Sequence, residues 1–386
     1  MKTERLFKTP LSENQKKNSE INHLEFLTKE PVLQSYPRRI VFELTNKCNF
    51  QCIMCGRETV KFKTNDLQLS VIKACESFFP YAEEVTLQGW GESTLHPKLP
   101  EILEYLNTFP PLRKYFITNG STLPKVMDAI FAHHVDLLAI SLDGTTPETN
   151  NSIRKGGDFR REINNIKMLL AEKKRRNSSY PYVNFVFTAM MRNIHELPDM
   201  IVLAKKLGIP EVKVVYLTIF NESLTPETLV DKQELVRKFF REAKARASEM
   251  NINLKLPPIQ GEDEEGGAFS HKPCAFPWRD LYIGSDGYIR PCQSSAHKIL
   301  NISGFTSFRE IWNSKQMQEF RERVNDEQLM SENCKNCYQS TCANWNRQAS
   351  FIQLGKKFAP EWEDTQEALI AKQALEKLAS KGIKEI

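Results

Sequence analysis

Six short apolar runs, each followed by a segment of helical periodicity, constrain the fold of this 386-residue chain more than any other feature. The runs are almost continuously apolar, which is typical of parallel strands covered on both faces. Successive strand–helix units predict an α/β fold with one parallel sheet and right-handed crossovers. Periodicity alone does not choose between an open doubly wound sheet and a partial barrel. The predicted strands are 40–44, 84–87, 114–118, 137–142, 183–189 and 212–217, and the predicted helices lie near 67–79, 98–107, 122–133, 159–175 and 195–207.

Composition excludes several classes of protein. Hydrophobic residues make up 40% of the chain and charged residues 26%, which is ordinary for a globular protein. The formal charge of +5 is spread along the chain, so we expect no nucleic-acid partner. No apolar run has the length of a spanning helix, and the polar N-terminus has no secretory apolar region. We therefore expect a cytoplasmic protein without membrane contact, whose nine cysteines are metal ligands rather than disulfides.

Changes in composition divide the chain into five parts. The first part is a weakly structured lead-in with a short helix around 21–27. A long helical stretch and an acidic, glycine-flanked loop separate the strand–helix region from a cysteine-rich region, and an amphipathic tail follows. The predicted parts are the lead-in at 1–37, the α/β region at 38–220, the connecting helix and acidic loop at 221–270, the cysteine-rich region at 271–347 and the helical tail at 348–386.

The first cysteine motif, Cys48-x3-Cys52-x2-Cys55, comes directly after the first predicted strand. Three thiolates on one loop suit three irons of a 4Fe-4S cluster, because cluster iron prefers sulfur ligands. The fourth iron then has no protein ligand and is open to a substrate. Zinc is the alternative, but structural zinc usually takes four ligands in paired spacings, and no histidine lies nearby.

The segment from Glu43 to Gly56 resembles the signature loop of the radical S-adenosylmethionine (SAM) superfamily. The resemblance implies that the open iron binds SAM, and that one electron cleaves SAM to a 5′-deoxyadenosyl radical, which abstracts a substrate hydrogen. It also implies a partial (β/α)6 TIM barrel. Other segments resemble further family motifs in the family's order, at strand carboxyl ends, where parallel sheets build their sites. The SAM contacts implied by the resemblance are Met54, Gly91, Glu92, Ser141, Asp143, Arg154 and Leu217.

A second set of cysteines resembles the SPASM/Twitch auxiliary-cluster domain of the same superfamily. The similarity includes the segments Phe276-Pro277-Trp278 and Ser285-Asp286-Gly287, the second of which suits a hairpin turn. The resemblance implies one auxiliary 4Fe-4S cluster, with zinc as the alternative and Cys342 as a possible replacement for one ligand. The implied ligands are Cys274, Cys292, Cys334 and Cys337.

These features predict a radical SAM oxidoreductase with two 4Fe-4S clusters and SAM as cofactors. A single auxiliary cluster is similar to that of relatives which oxidise an alcohol by two electrons, so we expect a small polar substrate such as a sugar, cyclitol or nucleoside. A flavodoxin- or ferredoxin-type protein is the expected external electron donor. A peptide maturase and an epimerase remain alternatives. The sequence identifies no catalytic acid or base, and His96 is interpreted as a turn residue.

Overall fold

The computed structural model describes residues 10–59, 63–220, 222–259, 273–292, 297–303, 305–326, 328–331, 334, 373 and 375–377. Its strands are β1 Arg39–Phe42, β2 Gln51–Cys52, β3 Glu84–Leu87, β4 Arg113–Thr118, β5 Leu137–Ser141, β6 Arg154–Lys155, β7 Tyr182–Ala189, β8 Glu211–Tyr216, β9 Asn253–Lys255, β10 Asp280–Ile283, β11 Tyr288–Arg290 and β12 Leu300–Asn301. Its helices are α1 Glu13–Leu27, α2 Leu69–Ala74, α3 Leu99–Asn107, α4 Leu123–Ala132, α5 Pro147–Ile153, α6 Phe159–Arg175, α7 Leu197–Leu207, α8 Gln233–Met250, α9 Phe276–Arg279, α10 Phe308–Trp312 and α11 Lys315–Arg323.

The main sheet has ten strands in the order β12-β11-β10-β1-β3-β4-β5-β7-β8-β9. Its centre consists of the six predicted strands, which pair in parallel and in chain order. β1 and β8 pair outwards, with β10 and β9 respectively, so the sheet does not close on itself among the described residues. The α/β prediction is confirmed, and the fold is the partial (β/α)6 barrel.

Alternation along each strand separates a helix-covered face from the barrel interior. On β1, Ile40 and Phe42 belong to the large apolar core, whereas Arg39 and Val41 do not. The interior is lined partly by a smaller cluster around Tyr115. Polar residues can occupy this inner face because the helices bury only the other one.

The N-terminal lead-in is better ordered than its sequence predicts. Helix α1 begins at Glu13, behind a capping box that Ser12 and Gln15 form, and eight residues before the predicted short helix. Asn22 Nδ2 donates to the Trp278 carbonyl at 2.6 Å. The prediction of a weakly structured segment is therefore wrong over α1, because buried amides that contact distant parts of the fold leave no apolar periodicity to detect.

The sheet extends beyond the six predicted strands on both sides. β9 and β10 are also parallel to their neighbours, and β10 leads into the antiparallel hairpin β10–β11. Among the described residues, neither added strand is followed by a periodic helix, which is the pattern that predicted the six central strands. The cysteine-rich region thus contributes a strand directly beside β1.

None of the described helices is both long enough and apolar enough to span a membrane.

Candidate active site

The first cysteine loop leaves the carboxyl end of β1 and is held by the backbone of a distant segment. Cys52 lies on β2 and pairs with Arg154 on β6 in a two-residue antiparallel ladder. The Ile53 N–H extends this contact by donating to the Ile153 carbonyl at 2.9 Å. The loop also packs tightly against Gly91, where a Cβ would lie 2.3 Å from the Thr45 carbonyl oxygen.

A cavity of about 160 Å³ opens where the cysteine loop meets the ends of β3, β4 and β5. It brings together six of the predicted site residues, two from the cluster motif and four from the implied SAM contacts. Gly89, Gln88 and Asn119 add polar backbone and amide groups. The predicted residues that line the cavity are Cys48, Cys52, Gly91, Glu92, Ser141 and Arg154.

Glu92 is the centre of a hydrogen-bond network in this cavity. Its Oε1 accepts from the Thr94 hydroxyl at 2.6 Å and from the Thr118 hydroxyl at 2.8 Å. Its Oε2 accepts from the Asn119 N–H at 2.7 Å. Burial raises the pKa of Glu92, while these donors act in the opposite direction. The network joins the loop after β3 to the end of β4, and Oε2 keeps acceptor capacity for a cationic ligand.

Asp143 and Arg154 form a buried ion pair at the same edge. Arg154 Nη2 lies 2.7 Å from Asp143 Oδ2, and both side chains are almost inaccessible to solvent. Asp143 Oδ1 accepts from the Thr188 N–H at 2.7 Å, which anchors the pair to β7. Burial raises the pKa of Asp143 and the guanidinium lowers it. Arg154 Nη1 also lies 4.0 Å from Cys52 Sγ, so the cation sits beside the cysteine loop.

Met54 and Leu217 are not among the cavity-lining residues. They meet in an apolar cluster with Ile153, Met190 and Leu224, next to the cysteine loop. The structure therefore places two of the implied SAM contacts in one apolar cluster, which suits the face of a planar base such as the adenine of SAM.

The donor set suits an iron–sulfur cluster. Burial raises the pKa of the Cys48 thiol and raises the pKa of Cys52 to about 12, so neither thiol ionises by itself near neutral pH. Iron removes such protons on binding, and thiolates are its preferred ligands in clusters. The guanidinium of Arg154 beside Cys52 compensates the negative charge that thiolate ligation brings. Cys48, Cys52 and Cys55 would hold this cluster.

Two of the auxiliary cysteines flank the segment that contains α9 and the β10–β11 hairpin. Cys274 precedes α9 and is clamped by Asn325, whose Oδ1 accepts from the Cys274 N–H at 2.6 Å. Cys292 follows β11, and Cys292 and Cys334 both pack against the apolar core. These three cysteines suit the same type of cluster, because thiolates are its preferred ligands. Cys337 and Cys342 lie outside the described residues.

Glu43 is a site residue that the sequence reasoning did not single out as functional. Its Oε1 accepts from the Trp90 N–H at 2.8 Å, and its Oε2 accepts from the Ser285 N–H at 2.9 Å and the Ser285 hydroxyl at 2.8 Å. One buried carboxylate thus joins the cysteine loop, the Gly-Trp-Gly-Glu segment and the auxiliary hairpin. In the sequence, the indication of a role at the site was the position of Glu43 at the end of the first predicted strand, where the signature segment begins.

His96 and Cys75 are structural. His96 Nδ1 accepts from the Lys98 N–H at 3.2 Å, and its Nε2 lies 3.1 Å from the Leu67 carbonyl oxygen. Cys75 is fully buried in the apolar core. The prediction that His96 is a turn residue is confirmed.

Family profiles match two parts of the chain. The radical SAM superfamily matches residues 42–201, which contain the first cysteine loop and four central strands that follow it. The iron–sulfur cluster-binding SPASM domain matches residues 274–338, which contain all four implied auxiliary ligands.

Named relatives and solved structures resemble the chain over different shares of its length. The AdoMet-dependent heme synthase of Methanosarcina barkeri is 26% identical over 333 residues, 81% of this chain and 92% of the relative. The mycofactocin maturase MftC of Mycobacterium tuberculosis is 27% identical over 177 residues, 45% of this chain and 43% of the relative. Streptococcus suis SuiB bound to S-adenosylmethionine has a TM-score of 0.61 at 14% identity, covering 88% of this chain and 80% of SuiB. At that identity the likeness concerns the fold.

Proposed function

Because this chain belongs to the radical SAM superfamily and carries its SPASM iron–sulfur domain, we propose that it oxidises a small polar metabolite by two electrons. The substrate class is a sugar, cyclitol or nucleoside. When bound, the first cluster and SAM supply a 5′-deoxyadenosyl radical that takes one hydrogen atom from the substrate. The substrate radical would then lose a proton to solvent and its second electron to the auxiliary cluster, which Cys274, Cys292, Cys334 and Cys337 would hold. A flavodoxin- or ferredoxin-type protein is proposed as the external electron donor.

The observation that carries this proposal is the direct join between the two cysteine regions. β10 pairs with β1 over four residues, and Glu43 connects the turn after β10 to the loop after β3. The first cysteine loop follows β1, and Cys292 follows β11, which is a strand of the same sheet. Such rigid attachment fixes the distance between two redox centres, which electron transfer from a short-lived substrate radical requires.

The chain's own residues would bind and orient SAM. Gly91 leaves room for close backbone approach, and Glu92 Oε2 offers an acceptor to the SAM amino group. The Arg154 guanidinium would meet the SAM carboxylate, since it keeps donors beyond its single contact with Asp143. Ser141 lines the same cavity, and Asp143 would hold Arg154 in place.

The apolar cluster of Met54 and Leu217 would receive the adenine and exclude water around it. The protein's task in this chemistry is to place one substrate C–H bond against the reactive carbon and to keep solvent and competing hydrogen donors away.

Similarity to named relatives supports a small molecule over a peptide. The heme synthase, which covers most of both chains, is named for a small-molecule product. A GTP 3′,8-cyclase of Pseudomonas fluorescens, 25% identical over 219 residues, is named for a nucleotide. The similarity to the mycofactocin maturase covers a shorter region, because the chain spans less than half of that relative.

Loss of the auxiliary cluster tests the proposed electron acceptor. In the Cys292→Ala variant we expect 5′-deoxyadenosine to form while product lighter by two hydrogens is lost, because the substrate radical has no acceptor. The assay incubates reduced holoenzyme with SAM and a panel of sugars, cyclitols and nucleosides, and mass spectrometry measures both products. Cys75→Ala is the matched control, since this buried cysteine is no ligand. Normal oxidised product from Cys292→Ala would show that the acceptor role is wrong.

A further inference from the structure

Several polar atoms on the inner face of the barrel have no hydrogen-bond partner. Among the described residues they include Gln88 Oε1 and Glu84 Oε2 on or next to β3, and Asn184 Oδ1 on β7. An unpaired buried polar atom is costly unless a ligand or water satisfies it. The interior of the barrel therefore offers hydrogen-bonding groups to a polar ligand.

Gln88 presents its side chain amide to the cavity. It is only 8% exposed, and it lines the cavity together with Cys48, Cys52 and Ser141. Its backbone N–H continues the strand by donating to the Phe42 carbonyl at 3.2 Å, so the backbone is fixed. The side chain therefore offers a donor and an acceptor from a rigid strand end.

Lys213 carries a positive charge to the same inner face from β8. It lies in a register row that runs from the cavity-lining Ser141 through Val186 to Lys213. Neighbouring residues in such a row share a face of the sheet. Its charge interacts with Lys255 and Glu211 beside it, and less with Arg39 and Glu84 across the barrel. Glu84 lies on β3, on the face of Gln88 and four residues before it.

The Lys213 ammonium has no carboxylate within ion-pair distance in the part of the chain that the structure describes. Its ladder neighbour Lys255 is different, because Lys255 Nζ lies 3.0 Å from Glu211 Oε2. Burial and the charge of Lys255 lower the pKa of Lys213 to about 8, so the ammonium form still dominates at neutral pH. The Lys213 side chain is only partly exposed, and a cation with little water around it attracts an anion more strongly because the local dielectric constant is low.

We propose that Gln88 and Lys213 select the substrate, and that the substrate carries an anionic oxygen group, either a carboxylate or a phosphate. Lys213 pairs with the anion, and Gln88 hydrogen-bonds to the same molecule across the interior. The inference rests on the proposed function, because it narrows the polar metabolite to an anionic one. Both residues are specificity-determining.

Lysine footprinting of the SAM-loaded holoenzyme tests this site without knowledge of the substrate. Formaldehyde with dimethylamine–borane methylates neutral amines, and peptide mass spectrometry measures the rate at Lys213. The probes are acetate, inorganic phosphate and chloride at equal ionic strength, with acetamide as the neutral counterpart of acetate. We expect acetate or phosphate to slow methylation of Lys213 by about fivefold at concentrations several times the dissociation constant, whereas acetamide does not. Whichever of the two anions protects more identifies the group.

Matched lysines and glutamines control the measurement. Lys255, already paired with Glu211, should be methylated at the same rate in all four buffers. Gln88→Leu should weaken the protection of Lys213, and Gln68→Leu, at an exposed position, should not. Equal methylation of Lys213 in all buffers, or none in any, would overturn the proposal.

The proposed function can fail separately. If 5′-deoxyadenosine and oxidised product form while anions leave Lys213 unprotected, only the anionic substrate class is wrong. If anions protect Lys213 but no 5′-deoxyadenosine forms from SAM, the anion site stands and the proposed reaction falls.

Discussion

At the scale of single residues, two buried carboxylates organise the site. Glu92 joins β3 to β4, and Glu43 joins β1 to the auxiliary hairpin. A carboxylate accepts several hydrogen bonds in different directions, so one side chain can fix several backbone segments at once. Charge-assisted bonds of this kind are also stronger than neutral ones. Both carboxylates thereby set the position of the cysteine loop relative to its surroundings.

The stability of the protein should depend on pH through His96. Burial lowers the pKa of His96, and the hydrogen bonds to Lys98 and Leu67 suit the neutral ring. In the unfolded chain the ring has a pKa of about 6.5. As the pH falls below that value the unfolded state gains a proton that the folded state does not, so the free energy of unfolding decreases until the folded-state pKa is reached.

Anaerobic thermal unfolding at pH 7.5 and pH 6 measures this dependence. We expect His96→Gln to lose less stability between the two values than the wild-type protein, since it removes the titrating ring. His195→Gln is the control, because the His195 side chain is 57% exposed. A pH dependence of stability that is identical in His96→Gln and the wild type would contradict the lowered pKa of His96.

At the scale of elements, the cysteine loop is held on two sides. The β2–β6 ladder holds Cys52, and the loop after β3 packs against the carbonyl groups of Thr45 and Lys47. The close approach requires glycine at Gly91, since a Cβ would lie 2.5 Å from the Lys47 oxygen. The cluster loop therefore depends on a steric contact outside the cysteine motif.

Gly91→Ala should displace this loop and remove the first cluster. We expect bound iron to fall by about half, from about eight to about four atoms per chain, as one of two cubanes is lost. Gly208→Ala is the matched control, because Gly208 has a φ of +79° with no atom near an added Cβ. That change costs about 1 kcal/mol of backbone strain and should leave the iron content unchanged. Full iron content in Gly91→Ala would refute the steric argument.

At the scale of the whole molecule, the sequence predicted the barrel because its strands are regular. The six central strands lie within a residue or two of their predicted bounds, since each is apolar on the helix-covered face and flanked by a periodic helix. β9 and β10 were missed because no periodic helix follows either of them in the described part of the chain, whereas the six central strands were recognised as strand–helix units. Helix α1 was underestimated because its buried face includes Gln15, Asn18 and Asn22, which periodicity counts as polar.

The candidate site was predictable where it follows a motif and unpredictable where it depends on distant contacts. The family resemblance led to Cys48, Cys52, Glu92 and Arg154, which the structure brings to one cavity. Glu43 only begins the signature segment, and Lys213 belongs to no motif. The role of Glu43 follows from partners more than 40 residues away, and that of Lys213 from the charged neighbours that the folded sheet brings to it. Such contacts exist only once the sheet has formed.

The central claim is that the loop of Cys48, Cys52 and Cys55 holds the cluster that cleaves SAM. Its most direct test is the amount of 5′-deoxyadenosine formed from SAM by the dithionite-reduced holoenzyme under anaerobic conditions. We predict that it accumulates with the wild-type protein and is absent when the three cysteines are replaced by alanine while the auxiliary cysteines remain. No 5′-deoxyadenosine from wild-type protein that carries about eight iron atoms per chain would contradict the account.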